Sequence, residues 1–179
     1  MTTDITIRAT RVDEVPRLRS IEKAAGVLFH EIGMTDVAEH PPPSLEIFEQ
    51  YQRAGLAWTA AGVDGQAVGF VLVKLIDGAA HIEQVSTHPD HARQGIGRRL
   101  IDEVDRWAAG RGLPALTLST FRDIGWNGPY YARLGFRELT AAELTPGLAE
   151  IQREETAMGL DPAGRVLMRR EIETGGVSG

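Results

Sequence analysis

The sequence predicts an α/β fold on a mixed, mostly antiparallel sheet, and three observations carry that reading. Between Ala57 and Ser86, three runs of period-two alternation are separated by Asp64-Gly65 and Asp77-Gly78, pairs that favour tight hairpin turns. From His81 to Leu100 (HIEQVSTHPDHARQGIGRRL), a strand-like run passes through a turn holding Gly95 and Gly97 into a helix-like run. Beyond that helix, Ala115 to Leu118 is short and mostly apolar. Strand, crossover helix and strand in one sheet require a parallel, right-handed connection.

Taken in order, Ile5 to Ala9 alternates as an opening strand, with Ile5, Ile7 and Ala9 on one side. Thr10 or Asp13 can cap a helix whose apolar positions, Val15, Leu18, Ile21, Ala25 and Leu28, are spaced by three or four residues. A break from Gly33 to Pro43 ends in three prolines, which cannot sit inside a helix. Ser44 can cap a second, short helix with Leu45, Phe48 and Tyr51 as its apolar positions. Ala57–Val63, Ala67–Ile76 and Ala80–Ser86 form the meander. Ile96, Leu100, Ile101, Val104, Trp107 and Ala108 line one side of the following helix, and Gly110 and Gly112 stand where a left-handed cap stops it. Asn127 or Gly128 opens a short helix with Pro129 in its first turn, Gly135 ends it, and Phe136 begins a strand. Gly164 to Glu171 alternates as a closing strand, and the Glu150, Arg153, Glu154 and Glu155 cluster reads as a solvated helix face. The sum is six or seven strands and about four helices.

At 179 residues the chain is expected to form one domain, over residues 1–171, with a flexible tail at 172–179. A net charge of -6 weighs against a nucleic-acid partner. The absence of cysteine excludes disulfides, thiolate metal sites and a cysteine nucleophile. MTTDITIRAT lacks the apolar core of a signal peptide, and no run reaches transmembrane length, so a soluble cytoplasmic protein with no membrane partner is expected. His81, His88 and His91 do not make a recognisable metal motif, so no metal is expected. No Gly-x-Ser-x-Gly occurs, which removes a serine-hydrolase elbow.

The glycine turn is an anion site in outline, because the first helical N–H groups lack partners and glycine lets a ligand approach the backbone. Arg93, Gln94, Arg98 and Arg99 crowd it. The dinucleotide fingerprint fails at Leu100, where its third glycine would fall, and the triphosphate loop fails for want of Gly-Lys-Ser/Thr. Tyr131 taken alone reads as a core aromatic at a helix. Glu83 and His81, two apart on one strand face, suit proton transfer or simply line a polar sheet face.

His88-Pro89, Gly95-Ile96-Gly97 and Tyr130-Tyr131-Ala132-Arg133-Leu134-Gly135-Phe136 together resemble the GNAT superfamily of acetyl-CoA-dependent N-acyltransferases. The first position of that family's phosphate motif, Gln or Arg, falls on Ala92, a departure beside which Arg93 supplies charge. The resemblance implies a GNAT-like acyl-CoA N-acyltransferase fold, with the strand before Gly95 and the strand Ala115–Leu118 splayed at their far ends. It implies that Arg93, Gln94, Gly95, Ile96, Gly97 and Arg98 bind pyrophosphate. Backbone groups of Val85, Ser86 and Thr87 would pair with the pantetheine arm. Asn127 would contact the coenzyme, a simple helix cap being its alternative. Tyr131 would be the general acid toward the departing thiolate, since a phenol near pKa 10 is protonated at neutral pH. Glu83, ahead of His81, would take the amine proton. The expected partners are acetyl-CoA, as co-substrate, and a primary amine on a small molecule or peptide, with a homodimer left open. The rival from another class is a non-catalytic acyl-CoA-binding sensor or interaction module, which needs neither Tyr131 nor Glu83.

Overall fold

The computed structural model describes residues 4–173; the C-terminal run TGGVSG, expected to be a frayed tail, lies outside them. Seven strands form one mixed sheet in the order β1-β2-β3-β4-β5-β7-β6. They are β1 (Thr6–Ala9), β2 (Ala57–Ala61), β3 (Ala67–Ile76), β4 (Ala79–Thr87), β5 (Ala115–Phe121), β6 (Arg137–Glu138) and β7 (Arg165–Glu171). The α-helices are α1 (Val15–Gly26), α2 (Thr35–Glu39), α3 (Leu45–Arg53), α4 (Ile96–Gly110), α5 (Gly128–Arg133) and α6 (Pro146–Ala157). They number six against the expected four or so: α2 falls in the expected break, and α6 carries the helix face expected at Glu150 to Glu155. Among the described residues no helix is long and apolar enough to cross a membrane.

The described residues fall into two units, one of residues 4–73 and Gln84–Glu103, the other of Lys74–Glu83 and residues 104–173. In the first, β1, β2 and β3 are antiparallel neighbours. Phe70 and Leu72 of β3 join Val15, Leu18 and Ile21 of α1 and Phe48 of α3 in one buried cluster. Phe48 and Phe70 meet edge to face at 5.7 Å, an arrangement that favours aromatic pairs beyond their buried area. Ser44 caps α3 as expected, its Oγ accepting from Ile47 N at 3.4 Å. Thr10 does not cap α1; it is buried and shares a 2.8 Å hydrogen bond with Thr59. A 3-10 turn over Val12–Glu14 leads into α1 instead, with Pro16 in the first turn, where a missing N–H costs nothing.

The start of α4 is seated through a gap in β3. A Cβ on Gly69 would lie 3.0 Å from Ser86 O and 3.1 Å from Ile96 Cγ2. Gly69→Ala is therefore expected to cost about 1–3 kcal/mol by overpacking and to displace the first turn of α4. Thermal unfolding and coenzyme titration calorimetry together check this; wild-type values in both would mean that the seat is not tight.

In the second unit β4 and β5 are parallel, pairing Ala80 with Leu116, His81 with Thr117 and Ile82 with Leu118. The ladder stops there, although β4 continues to Thr87 and β5 to Phe121. β5 pairs along its whole length with β7, antiparallel, and β7 pairs with β6. The Asp77-Gly78 turn has positive φ at both residues (50° and 79°), as a two-residue hairpin requires. Asp77 also reaches α6, where its Oδ2 accepts from Gly147 N of the first turn at 2.7 Å.

Candidate active site

In the first unit, the second half of β4 leads through a 3-10 turn (Pro89–His91) into the glycine turn. Ser86 is buried and accepts from Gln84 Nε2 at 2.8 Å, and Val85 and Thr87 are half-buried. His88 N donates to Val68 O at 2.8 Å, and the His88 ring accepts from Asp90 N at 3.1 Å, so the loop is tied to β3 and to itself. Arg93 and Gly95 both adopt the left-handed region, at φ 62° and 73°. Left-handed residues in a tight turn gather successive N–H groups into an anion-binding concavity. Arg99 N donates to Gly95 O at 3.1 Å, so by helix geometry the N–H groups of Ile96, Gly97 and Arg98 precede the ladder.

Ile96 is buried and anchors the turn from below, while Arg93, Gln94, Gly95 and Arg98 are exposed. Nothing lies within 4 Å of where a Gly95 Cβ would stand. Open backbone, a left-handed pair and two exposed guanidiniums fit a pyrophosphate. Arg99 acts elsewhere, its guanidinium donating to Ile5 O at 2.7 Å and so holding α4 to the residue before β1.

The second unit gathers the groups that titrate. His81 is 2 % exposed, with Nδ1 2.8 Å from Thr117 Oγ1 and Nε2 3.8 Å from Glu83 Oε2. Burial is the main cause that lowers its pKa to about 4, assisted by Lys74 and opposed by Glu83 and Glu155, because a buried imidazole cannot readily be charged. His81 is neutral above that pH. Glu83 is only partly covered, and its Oε2 lies 3.0 Å from Lys74 Nζ of β3.

On β5, two residues beyond Thr117, Ser119 Oγ donates to Glu155 Oε1 at 2.6 Å. Arg165 of β7 completes this cluster, with Nη2 2.9 Å from Glu155 Oε1 and its guanidinium 4.4 Å over the Phe121 ring. Glu155 is thus not part of a solvated helix face: its side chain and that of Arg165 are 15 % and 16 % exposed. Glu155 is within electrostatic reach of His81, and Arg165 of Tyr131.

Tyr131 sits on α5, its ring edge-on to Tyr130 at 5.3 Å and to Phe136 at 5.9 Å. Burial of its hydroxyl end, with Tyr130 beside it, pushes the phenol up, and Arg165 offsets only part of this. Asn127 stands at the N-cap of α5 but makes no side-chain cap bond there. Its Oδ1 accepts from buried Thr120 Oγ1 at 2.7 Å, which leaves the two amide N–H donors of Asn127 for other acceptors.

The sequence reading missed Lys74, Thr117, Ser119, Thr120 and Arg165 as site neighbours. The only signal was polar residues at alternate positions of strands, which does not say which strands are adjacent.

A model of the acetyltransferase (GNAT) family matches residues 25–136. Solved structures of similar fold include the ribosomal-protein-S18-alanine N-acetyltransferase of Escherichia coli, 20% identical with a TM-score of 0.67, the match covering 98% of each chain. The PaiA N-acetyltransferase of Thermoplasma acidophilum, solved in complex with coenzyme A, is 16% identical with a TM-score of 0.63, over 94% of this chain and 99% of that one. N-acetylglutamate synthase of Neisseria gonorrhoeae, solved with coenzyme A and N-acetyl-glutamate, is 16% identical with a TM-score of 0.71, over 97% of this chain and 36% of that one. The family match takes in the glycine turn, the parallel β4–β5 pair and the α5 tyrosines, and the chain belongs to the GNAT acetyltransferase family.

Proposed function

We propose that this chain transfers the acetyl group of acetyl-CoA directly to a primary amine of a small molecule or peptide. The observation that carries the reading is the Glu83 carboxylate, which already holds an ammonium at 3.0 Å beside a neutral, buried histidine. An acceptor amine arrives mostly as ammonium and must lose a proton before it can attack a thioester. The coenzyme complex of the Thermoplasma acidophilum relative supports acetyl-CoA as the donor.

Bound acetyl-CoA supplies the thioester; the chain supplies position and proton transfer. Backbone N–H groups of the Arg93–Arg98 turn, with the Arg93 and Arg98 guanidiniums, hold the pyrophosphate. Val85, Ser86 and Thr87 align the pantetheine arm as an added strand, and Asn127, oriented by Thr120, donates to the coenzyme. Glu83 takes the proton from the amine. Tyr131, whose raised pKa keeps it protonated through the neutral range, gives its proton to the leaving thiolate. Most of the acceleration comes from holding amine and thioester together, with acid and base adding about 10²–10⁴-fold.

Thiol release from acetyl-CoA over a panel of amines, with mass analysis of the product, tests the reading. Turnover of at least one amine is expected; coenzyme binding without turnover on any would favour the sensor module. Glu83→Gln is expected to lower kcat about 10²-fold while leaving coenzyme affinity nearly unchanged, checked by steady-state kinetics and coenzyme titration. An unchanged kcat in Glu83→Gln, with coenzyme affinity also unchanged, removes Glu83 from the role.

A further inference from the structure

The chain holds nineteen basic residues, Lys and Arg together, and only Lys23 and Lys74 among them are lysines. An arginine guanidinium stays protonated throughout the working pH range and is no acyl acceptor, so two side-chain amines stand out. Lys23 lies exposed on α1. Lys74, on β3, points its Nζ at Glu83 Oε2 from 3.0 Å. That is the relation an acceptor amine must have to the base: an ammonium within hydrogen-bond distance of the carboxylate that is to deprotonate it. The Lys74 side chain is 38 % exposed, so the ion pair holds it at the base while leaving it room to turn.

We propose that Lys74 is a self-acetylation site, modified in its own active site when acetyl-CoA is bound and no acceptor amine has displaced it. The proposal rests on the acetyl-transfer reading above. Glu83 removes one proton from the Lys74 ammonium. The freed Nζ lone pair forms a C–N bond to the acetyl carbon, and the C–S bond breaks with its electron pair passing to sulfur. Tyr131 protonates that sulfur, and the second proton lost by Nζ restores the phenol. The products are Nζ-acetyl-Lys74, free coenzyme A thiol and one proton released through Glu83. The modification deletes the cation beside Glu83, along with the positive charge that helps keep His81 neutral. Self-acetylation therefore alters the electrostatics of the groups that would receive the next amine.

The test is incubation of the full chain with isotopically labelled acetyl-CoA and no amine, followed by peptide mass mapping. Lys23 serves as the internal gauge of uncatalysed acetylation. Label is expected at Lys74 at least about tenfold faster than at Lys23, with a first-order rate independent of protein concentration. Glu83→Gln is expected to slow Lys74 labelling about 10²-fold and leave Lys23 unchanged. Lys74→Arg, which keeps a cation beside Glu83, should lose the label. Labelling no faster at Lys74 than at Lys23, in a chain that turns over an added amine, overturns the proposal and leaves the acetyl-transfer reading intact. Absence of both labelling and amine turnover overturns the two together. Labelling that rises with protein concentration, or that persists in Glu83→Gln, overturns the intramolecular step.

Discussion

Replacing Tyr131 by phenylalanine is expected to lower kcat for acetyl transfer about 10²–10⁴-fold while leaving coenzyme affinity nearly unchanged. The ring keeps its edge contacts with Tyr130 and Phe136, so the substitution removes the hydroxyl and little else. The direction of the pKa shift sharpens the expectation. A phenol pushed above its ordinary value of about 10 stays protonated at neutral pH, so the wild-type enzyme should show no alkaline limb from Tyr131 in the neutral range. The same shift makes the phenol a weaker acid in isolation. It can still donate to a thiolate as negative charge develops on sulfur, and a site with little competing water strengthens that hydrogen bond. Steady-state kinetics and coenzyme titration of the variant decide the matter: an unchanged rate removes Tyr131 from catalysis.

The second large effect is expected from a single methyl group. Gly128 opens α5, and a Cβ there would lie 2.5 Å from Arg122 O and 3.0 Å from Phe121 O. Both are backbone atoms, and Arg122 N is itself bonded to Gly164 O at 2.9 Å, so the end of β5 cannot yield without breaking that bond. Gly128→Ala should therefore cost about 3 kcal/mol, lowering Tm by roughly 6–12 °C for a chain of this size. It should also move Asn127 and Tyr131, which lie within one helical turn of it, and so reduce activity beyond what lost stability explains. Gly125→Ala is the control, because nothing lies within 4 Å of its Cβ position. Equal melting temperatures for the two variants would show that the crowding at Gly128 is relieved cheaply.

Where apolar spacing was strong, the sequence reading and the structure agree. Val15, Leu18 and Ile21 are buried on α1; Ile96, Leu100, Ile101, Val104 and Ala108 are buried on α4; and the β4–β5 pair is parallel as the crossover demands. The reading failed where local pattern is weak. α2 has five residues and none buried, so it offers no periodic stripe. β2 stops at Ala61, two residues short of the expected Val63, because Gly62 N turns to Gln66 O. The glycine turn was legible because its residues are contiguous. The surroundings of Glu83 and His81 were not, since Lys74, Thr117 and Glu155 come from three other elements. Strand register, which one strand's own residues do not reveal, decides which of them meet.

The Asp77–Gly147 bond has a mechanical consequence for α6. The helix is fastened at its N-terminal end to the β3–β4 turn, and near its C-terminal end by Glu155 to Ser119 and Arg165. A rod clamped at both ends to one sheet has no free arm to swing. The clamp at Gly147 is also close-fitting, because a Cβ there would lie 2.6 Å from Ile76 Cγ2 and 2.7 Å from Asp77 Oδ2. Any movement of α6 away from the sheet must then begin by releasing one of these two clamps.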